Sequence, residues 1–148
     1  MPLTLAALTQ GLPGADGDAY PTTRQAAALM WASAMHDYAN GIIPGSTSVA
    51  AAAVQLEADL LVAFGLPDGI DAMEAAFVAF ATTVAAGMAP AYVGAPPPMP
   101  MGLRALFTTG TPPSTRAEGV ALVAMRIDDW MRTGTAVPAG GGAAIGWS

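Results

Sequence analysis

Any chemistry that needs an imidazole rests on one residue, because His36 is the single histidine of this chain. Ser33 lies three residues earlier, one helical turn away, while Asp37 is adjacent and points about 100° off around a helix. A serine–histidine–acid relay needs its three groups aligned and its nucleophile on a glycine-bounded turn. The segment around Ser33, His36 and Asp37 lacks that turn, so a polar helix surface is the expectation. Zinc would require further nitrogen or thiolate ligands, and the chain contains no cysteine. Carboxylate pairs occur at Asp16/Asp18, Glu57/Asp59, Asp71/Glu74 and Asp128/Asp129. Glycoside hydrolysis needs two such groups facing across a cleft with one desolvated, which nothing in the spacing indicates. Asp71 and Glu74 already have a role as negative charge near a helix start. Asp16-Gly17-Asp18 resembles a fragment of a calcium loop but lacks the later glutamate. Gly11-Leu12-Pro13-Gly14 and Gly140-Gly141-Gly142 lack the phosphate-loop lysine, and the chain has no lysine. The expectation is a protein that is not an enzyme, with no cofactor and no metal.

Composition narrows the partners. The 148 residues suit one domain; 53% are hydrophobic and only 11% charged, against about 25% charged in an ordinary soluble domain. Disorder driven by charge and low hydropathy is thereby excluded. Eleven acids against five arginines give a net charge of −6, so the clustered positive charge of a nucleic-acid groove is missing. The stretch from Ala75 to Met101 carries no charge, yet Gly87, Pro90 and Pro96-Pro97-Pro98 interrupt it, and a membrane-spanning helix must keep its backbone bonds internal. Arg24 is the first cation, so the opening residues lack the charged start of a secretory signal. No nucleic acid and no membrane are expected.

The elements that would position these residues are helices. A first helix follows Thr22 or Thr23, with Ala27, Met30, Trp31, Ala34 and Tyr38 on one face. A second starts near Ser46 or Ser48 and runs to Phe64, with Val49, Ala53, Leu56, Leu60, Ala63 and Phe64 as its buried stripe. Asp68 reads as the cap of a third, which carries Ile70, Met73, Phe77, Phe80, Ala81 and Val84 and is apolar on nearly every side. Such a helix is buried all round, inside a domain or between subunits. Thr115-Arg116-Ala117-Glu118 fits a capping box and opens a fourth helix, lined by Val120, Val123, Ala124, Ile127, Trp130 and Met131, with Asp128, Asp129 and Arg132 outside. The predicted fold is all-α: one domain, 1–148, a small bundle of about four helices. Residues 1–21 form an N-terminal arm with at most one short turn, 22–87 the first three helices, 88–114 a proline-rich arm, 115–134 the last helix and 135–148 a glycine-rich tail.

The layout resembles the small accessory virion proteins of tailed bacteriophages that build the neck, tail or baseplate. The resemblance lies in a helix with Trp31-Ala32-Ser33-Ala34-Met35-His36-Asp37-Tyr38-Ala39, leading through Gly41-Ile42-Ile43-Pro44 to an alanine-rich helix. An apolar helix, a proline-rich arm and a helix ending in Asp128-Asp129-Trp130-Met131 follow. It implies a non-catalytic protein that binds copies of itself and other virion proteins, located in the virion after assembly in the host cytoplasm; it carries over no site residues. A separate physical argument agrees: a helical body of roughly 80 residues buries only about 60–65% of its unfolded surface, leaving little shelter for apolar arms. The expectation is a ring or collar in which Phe77, Phe80, Val84, Tyr92, Met99, Met101, Leu106, Phe107 and Trp147 lie at interfaces between chains. A monomeric helical protein-binding module, with the 87–113 arm folded back, is the alternative; deleting residues 135–148 should then leave it folded. A small membrane protein or an enzyme ranks below both.

Overall fold

The computed structural model describes residues 2–14 and 20–148. The fold is all-α, with a small three-stranded sheet beside the helices. Four long helices stand where apolar periodicity places them: α2 (Arg24–Ala39), α3 (Val49–Ala63), α4 (Ile70–Ala86) and α6 (Arg116–Met131), numbered with two short ones, α1 (Leu5–Gly11) and α5 (Ala105–Thr108). The Thr23 hydroxyl accepts the Ala26 N–H at 3.1 Å, satisfying one of the four donors a helix start leaves without a partner. The capping box of α6 forms as its spacing predicts, with Thr115 accepting from the Glu118 N–H and Glu118 accepting from the Thr115 N–H.

Glu118 also accepts from the Ser114 hydroxyl at 2.6 Å and the Ser114 N–H at 2.8 Å, and these bonds, the hydroxyl first, hold its carboxyl below the usual range. A group whose pKa is depressed by folding stabilises the fold above its unfolded value, about 4.3 for glutamate, and loses that contribution as pH falls through the folded value. Thermal melts of the wild type and Glu118→Gln should therefore differ at pH 6 and converge on acidification.

Described residues of all three arms pack onto the helices. Leu3, Leu8 and Leu12 of the N-terminal segment are buried, and α1 packs between α2 and α6. The proline-rich segment lies across α4 and α6, burying Pro97, Met101 and Leu103. Its first residues form β1 (Tyr92–Ala95), which pairs antiparallel with β2 (Thr135–Pro138) so that Tyr92 faces Pro138 and Ala95 faces Thr135. β2 in turn pairs with β3 (Ile145–Gly146), setting Ala136 opposite Ile145. The chain then ends on Trp147, which is buried, and Ser148, which exchanges backbone hydrogen bonds with Ile43 at 2.8 and 3.1 Å. One core cluster joins all these segments to the long helices.

This corrects the expectation that the body is too small to shelter its extensions. They are part of the body, and a chain of about 150 residues can bury roughly 68–70% of its unfolded surface. The sheet is likewise an addition to the predicted helices. Two side chains also change sides: Met30, expected on the buried face of α2, is 41% exposed, and Asp128, expected outside α6, is 6% exposed. The remaining buried stripes of α3, α4 and α6 follow the predicted periodicity.

Candidate functional site

Asp128 is buried because α2 supplies a donor for it. The Tyr38 hydroxyl donates to one carboxylate oxygen at 2.6 Å and Arg132 Nε to the other at 2.9 Å, while a second Arg132 nitrogen donates to the Leu3 carbonyl at 2.6 Å. Burial, and then the hydrogen bond to Asp128, push the Tyr38 phenol far above the usual tyrosine range. The network ties the N-terminal segment and α2 to the end of α6, and every member has a structural partner. It is a clamp.

Asp71 and Glu74 act on the proline-rich segment more than on the start of their own helix. Glu74 accepts the backbone N–H groups of Met101, Gly102 and Leu103 at 2.8, 3.3 and 2.9 Å. Gly102 makes this convergence possible, since its φ of +83° turns consecutive amides toward one carboxylate. Asp71 and Asp68 bind Arg104 at 3.0 and 3.1 Å, and these hydrogen bonds, that of Asp71 first, push the already charged guanidinium further above its ordinary pKa. Asp68 thus binds Arg104 and also accepts the Ile70 N–H at 3.5 Å, while Gly69 occupies the cap position of α4. Trp130 completes the strap by donating to the Pro98 carbonyl at 2.8 Å. Hydrogen bonds to a charged group contribute about 1.5–3 kcal/mol each. Glu74→Ala should cost at least about that much and release Met101–Leu103, read as faster amide hydrogen exchange there with little change in α3.

Of the chemistry-bearing residues singled out in the sequence, Ser33, His36, Asp37 and Glu57 line one groove between α2 and α3, while Asp71/Glu74 and Asp128/Asp129 lie elsewhere. His36 Nδ1 lies 3.1 Å from Asp37 Oδ1, an exposed contact between neighbours, at a shallow groove between α2 and α3 that also includes Leu29, Val54 and Glu57. Glu57 and Asp59 sit on α3, with Gln55 donating to Asp59 at 2.8 Å. The Asp16–Asp18 calcium reading lies outside the described residues. Among the described residues no group of three or more His, Asp or Glu side chains is placed to hold a metal ion. None of the described helices is long and apolar enough to cross a membrane.

The proposed interface residues divide sharply. Phe77, Phe80 and Val84 are core residues of this chain, as are Met101 and Trp147. Tyr92 and Leu106 are half-buried against the same core. The first five are covered by their own chain, because the arms fold back; Tyr92 and Leu106 stay partly open, and Met99, 72% exposed, and Phe107, 49% exposed, are the most open to a neighbour.

A different surface emerges on α3. Ala51, Val54, Ala58, Leu61 and Val62 recur at i, i+3, i+7, i+10 and i+11 and all face solvent, Val54 at 71% and Val62 at 66%. Glu57 borders this stripe on one side and Gln55 and Asp59 on the other, while Leu29 continues the apolar surface across the groove from Val54. The signal was present in the sequence: of the fifteen residues of α3, Gln55, Glu57 and Asp59 are the polar ones, so the helix holds more apolar side chains than one buried stripe uses. An isolated exposed valine means little, but a contiguous apolar face rimmed by polar groups marks a contact surface.

Compared with protein-family models, with curated proteins and with solved structures, the chain matches none.

Proposed function

We propose that this chain is a non-enzymatic helical module that binds another protein through an exposed apolar helix face. The observation that carries this reading is the solvent-facing stripe of α3 from Ala51 to Val62 on a body whose arms are already packed. A folded chain has no internal use for such a face, and covering it returns about 25 cal/mol for each Å² of apolar surface removed from water. In this reading the Tyr38–Asp128–Arg132 clamp and the Glu74 strap keep the scaffold rigid, so that little ordering cost falls on the binding step.

The test is whether that face is free in solution. A dye that fluoresces on apolar protein surfaces should bind the folded wild type and lose most of its signal on Leu61→Asp, with helicity unchanged. Equal signals from the two proteins would remove the reading.

The phage ring or collar stands as a second proposal, favoured by one observation: Met99 and Phe107 remain exposed on the proline-rich segment, where contacts between sister chains were expected. In it the chain is a virion structural protein of neck, tail or baseplate that binds itself and neighbouring virion proteins. Light scattering over about 5–200 μM separates the two proposals. A closed oligomer of fixed stoichiometry, dissociated by Phe107→Asp, supports the ring, and a monomer throughout discards it.

A further inference from the structure

We infer that the occupant of the α3 face is an amphipathic helix of a different protein, with arginine or lysine flanking its apolar seam; this rests on the binding-module reading and names its partner by chemistry.

Length sets the first requirement. The stripe spans Ala51 to Val62, eleven steps of about 1.5 Å, so it presents roughly 16–17 Å of seam. A partner helix of about 12–15 residues covers that distance with its ends free. Spacing of i, i+3, i+7 and i+10 is the pattern by which one helix meets another side by side.

Charge decides between a second copy and another protein. The borders of the seam carry Glu57 and Asp59, and Asp37 stands across the α2–α3 groove. Four of the five arginines are engaged elsewhere. Arg104 binds Asp68 and Asp71, Arg132 binds Asp128, Arg126 reaches the Met101 carbonyl, and Arg116 stacks over the Tyr20 ring at 5.3 Å. Arg24 lies over Gly65, beyond the C-terminal end of the seam. Two copies laid antiparallel about Ala58 would therefore bring Glu57 toward Glu57, on chains that each carry a net charge of −6. Like charges facing each other at the flanking positions of a helix pair oppose association, whereas cations there steer and fix the partner. A seam with basic flanks satisfies both the apolar centre and the acidic border.

The experiment uses the full chain and two fluorescent synthetic peptides of about 15 residues. Both carry the same leucine and alanine seam; one has arginine and lysine at the flanking positions, and the other has glutamate there. Anisotropy titrations at about 50 mM salt should show the basic peptide binding at least tenfold tighter than the acidic one. Val54→Asp with Leu61→Asp should weaken the basic peptide at least tenfold. That variant is more negative than the wild type, so attraction to charge alone would strengthen binding and overturn the inference. Glu57→Lys with Asp59→Lys should reverse the preference between the peptides. Circular dichroism confirms that each variant, altered only at solvent-facing or border positions, keeps its helices. Equal binding of the two peptides, or a wild-type dimer that Leu61→Asp dissociates, overturns the basic partner while leaving a docking face on α3. Failure of both peptides to bind, with the apolar dye also indifferent to Leu61→Asp, overturns the inference together with the reading beneath it.

Discussion

Replacing Trp147 by alanine is expected to lower folding stability by about 3–5 kcal/mol, the usual cost of removing a large aromatic side chain from a core. The residue is second from the end of a glycine-rich stretch, a position where substitutions are ordinarily harmless. Here its side chain is 2% exposed, its indole N–H donates to the Thr135 carbonyl at 3.0 Å and its backbone N–H to the Gly134 carbonyl at 2.9 Å. The ring lies so close over Gly134 that a methyl group there would run into it. Gly134→Ala is thus a second, opposite probe, which removes no atom of the tryptophan yet displaces it. Because small domains are stable by only about 5–15 kcal/mol in total, Trp147→Ala should move the urea midpoint by a large fraction of its value. A change under about 1 kcal/mol would mean that the tail merely rests on the body. The same geometry revises the truncation expected from sequence. Deleting residues 135–148 removes β2, β3 and the Trp147 plug, so the product should be unfolded or aggregated, and the deletion cannot report on oligomeric state.

Phe77→Ala should be as costly, about 3–5 kcal/mol. Phe77 is fully buried in the middle of α4, and its ring meets Trp31 of α2 in a tilted arrangement with centroids 6.0 Å apart. Such aromatic pairs contribute about 0.5–1.5 kcal/mol beyond the area they bury. The pair joins two helices that α3 otherwise links by packing against each of them. Unfolding of Phe77→Ala, Trp31→Ala and the double variant forms a cycle in which the double variant should lose less stability than the two single variants summed, by an amount of that size. A Phe77→Ala effect confined to the oligomeric state, with monomer stability intact, would restore this residue to a subunit interface.

How far the fold could be read in advance differs by element. The helix stripes at Val49–Ala63, Ile70–Val84 and Val120–Met131 were legible because apolar spacing along a helix is a local property. Met30 was misplaced because the buried arc of α2 is broad: Ala28, Ala32, Met35 and Ala39 bury along with Trp31 and Tyr38, turning Met30 outward. The candidate site was half legible. Val54, Leu61 and Val62 could be assigned to a helix, but which face lacked a neighbour depended on where α2 and α4 came to rest.

Local sequence alone determined the four long helices, the Thr23 and Thr115 caps and the all-α class, since each follows from residues a few positions apart. Tertiary structure alone decided that the arms fold home. Glu74 meets amides 27 to 29 residues away, Tyr38 reaches Asp128 across 90 residues, and Tyr92 pairs with Pro138. Such partners have no fixed sequence offset; they meet only after the helices have packed, when a segment without regular periodicity settles wherever its few large apolar side chains and its backbone donors find cover.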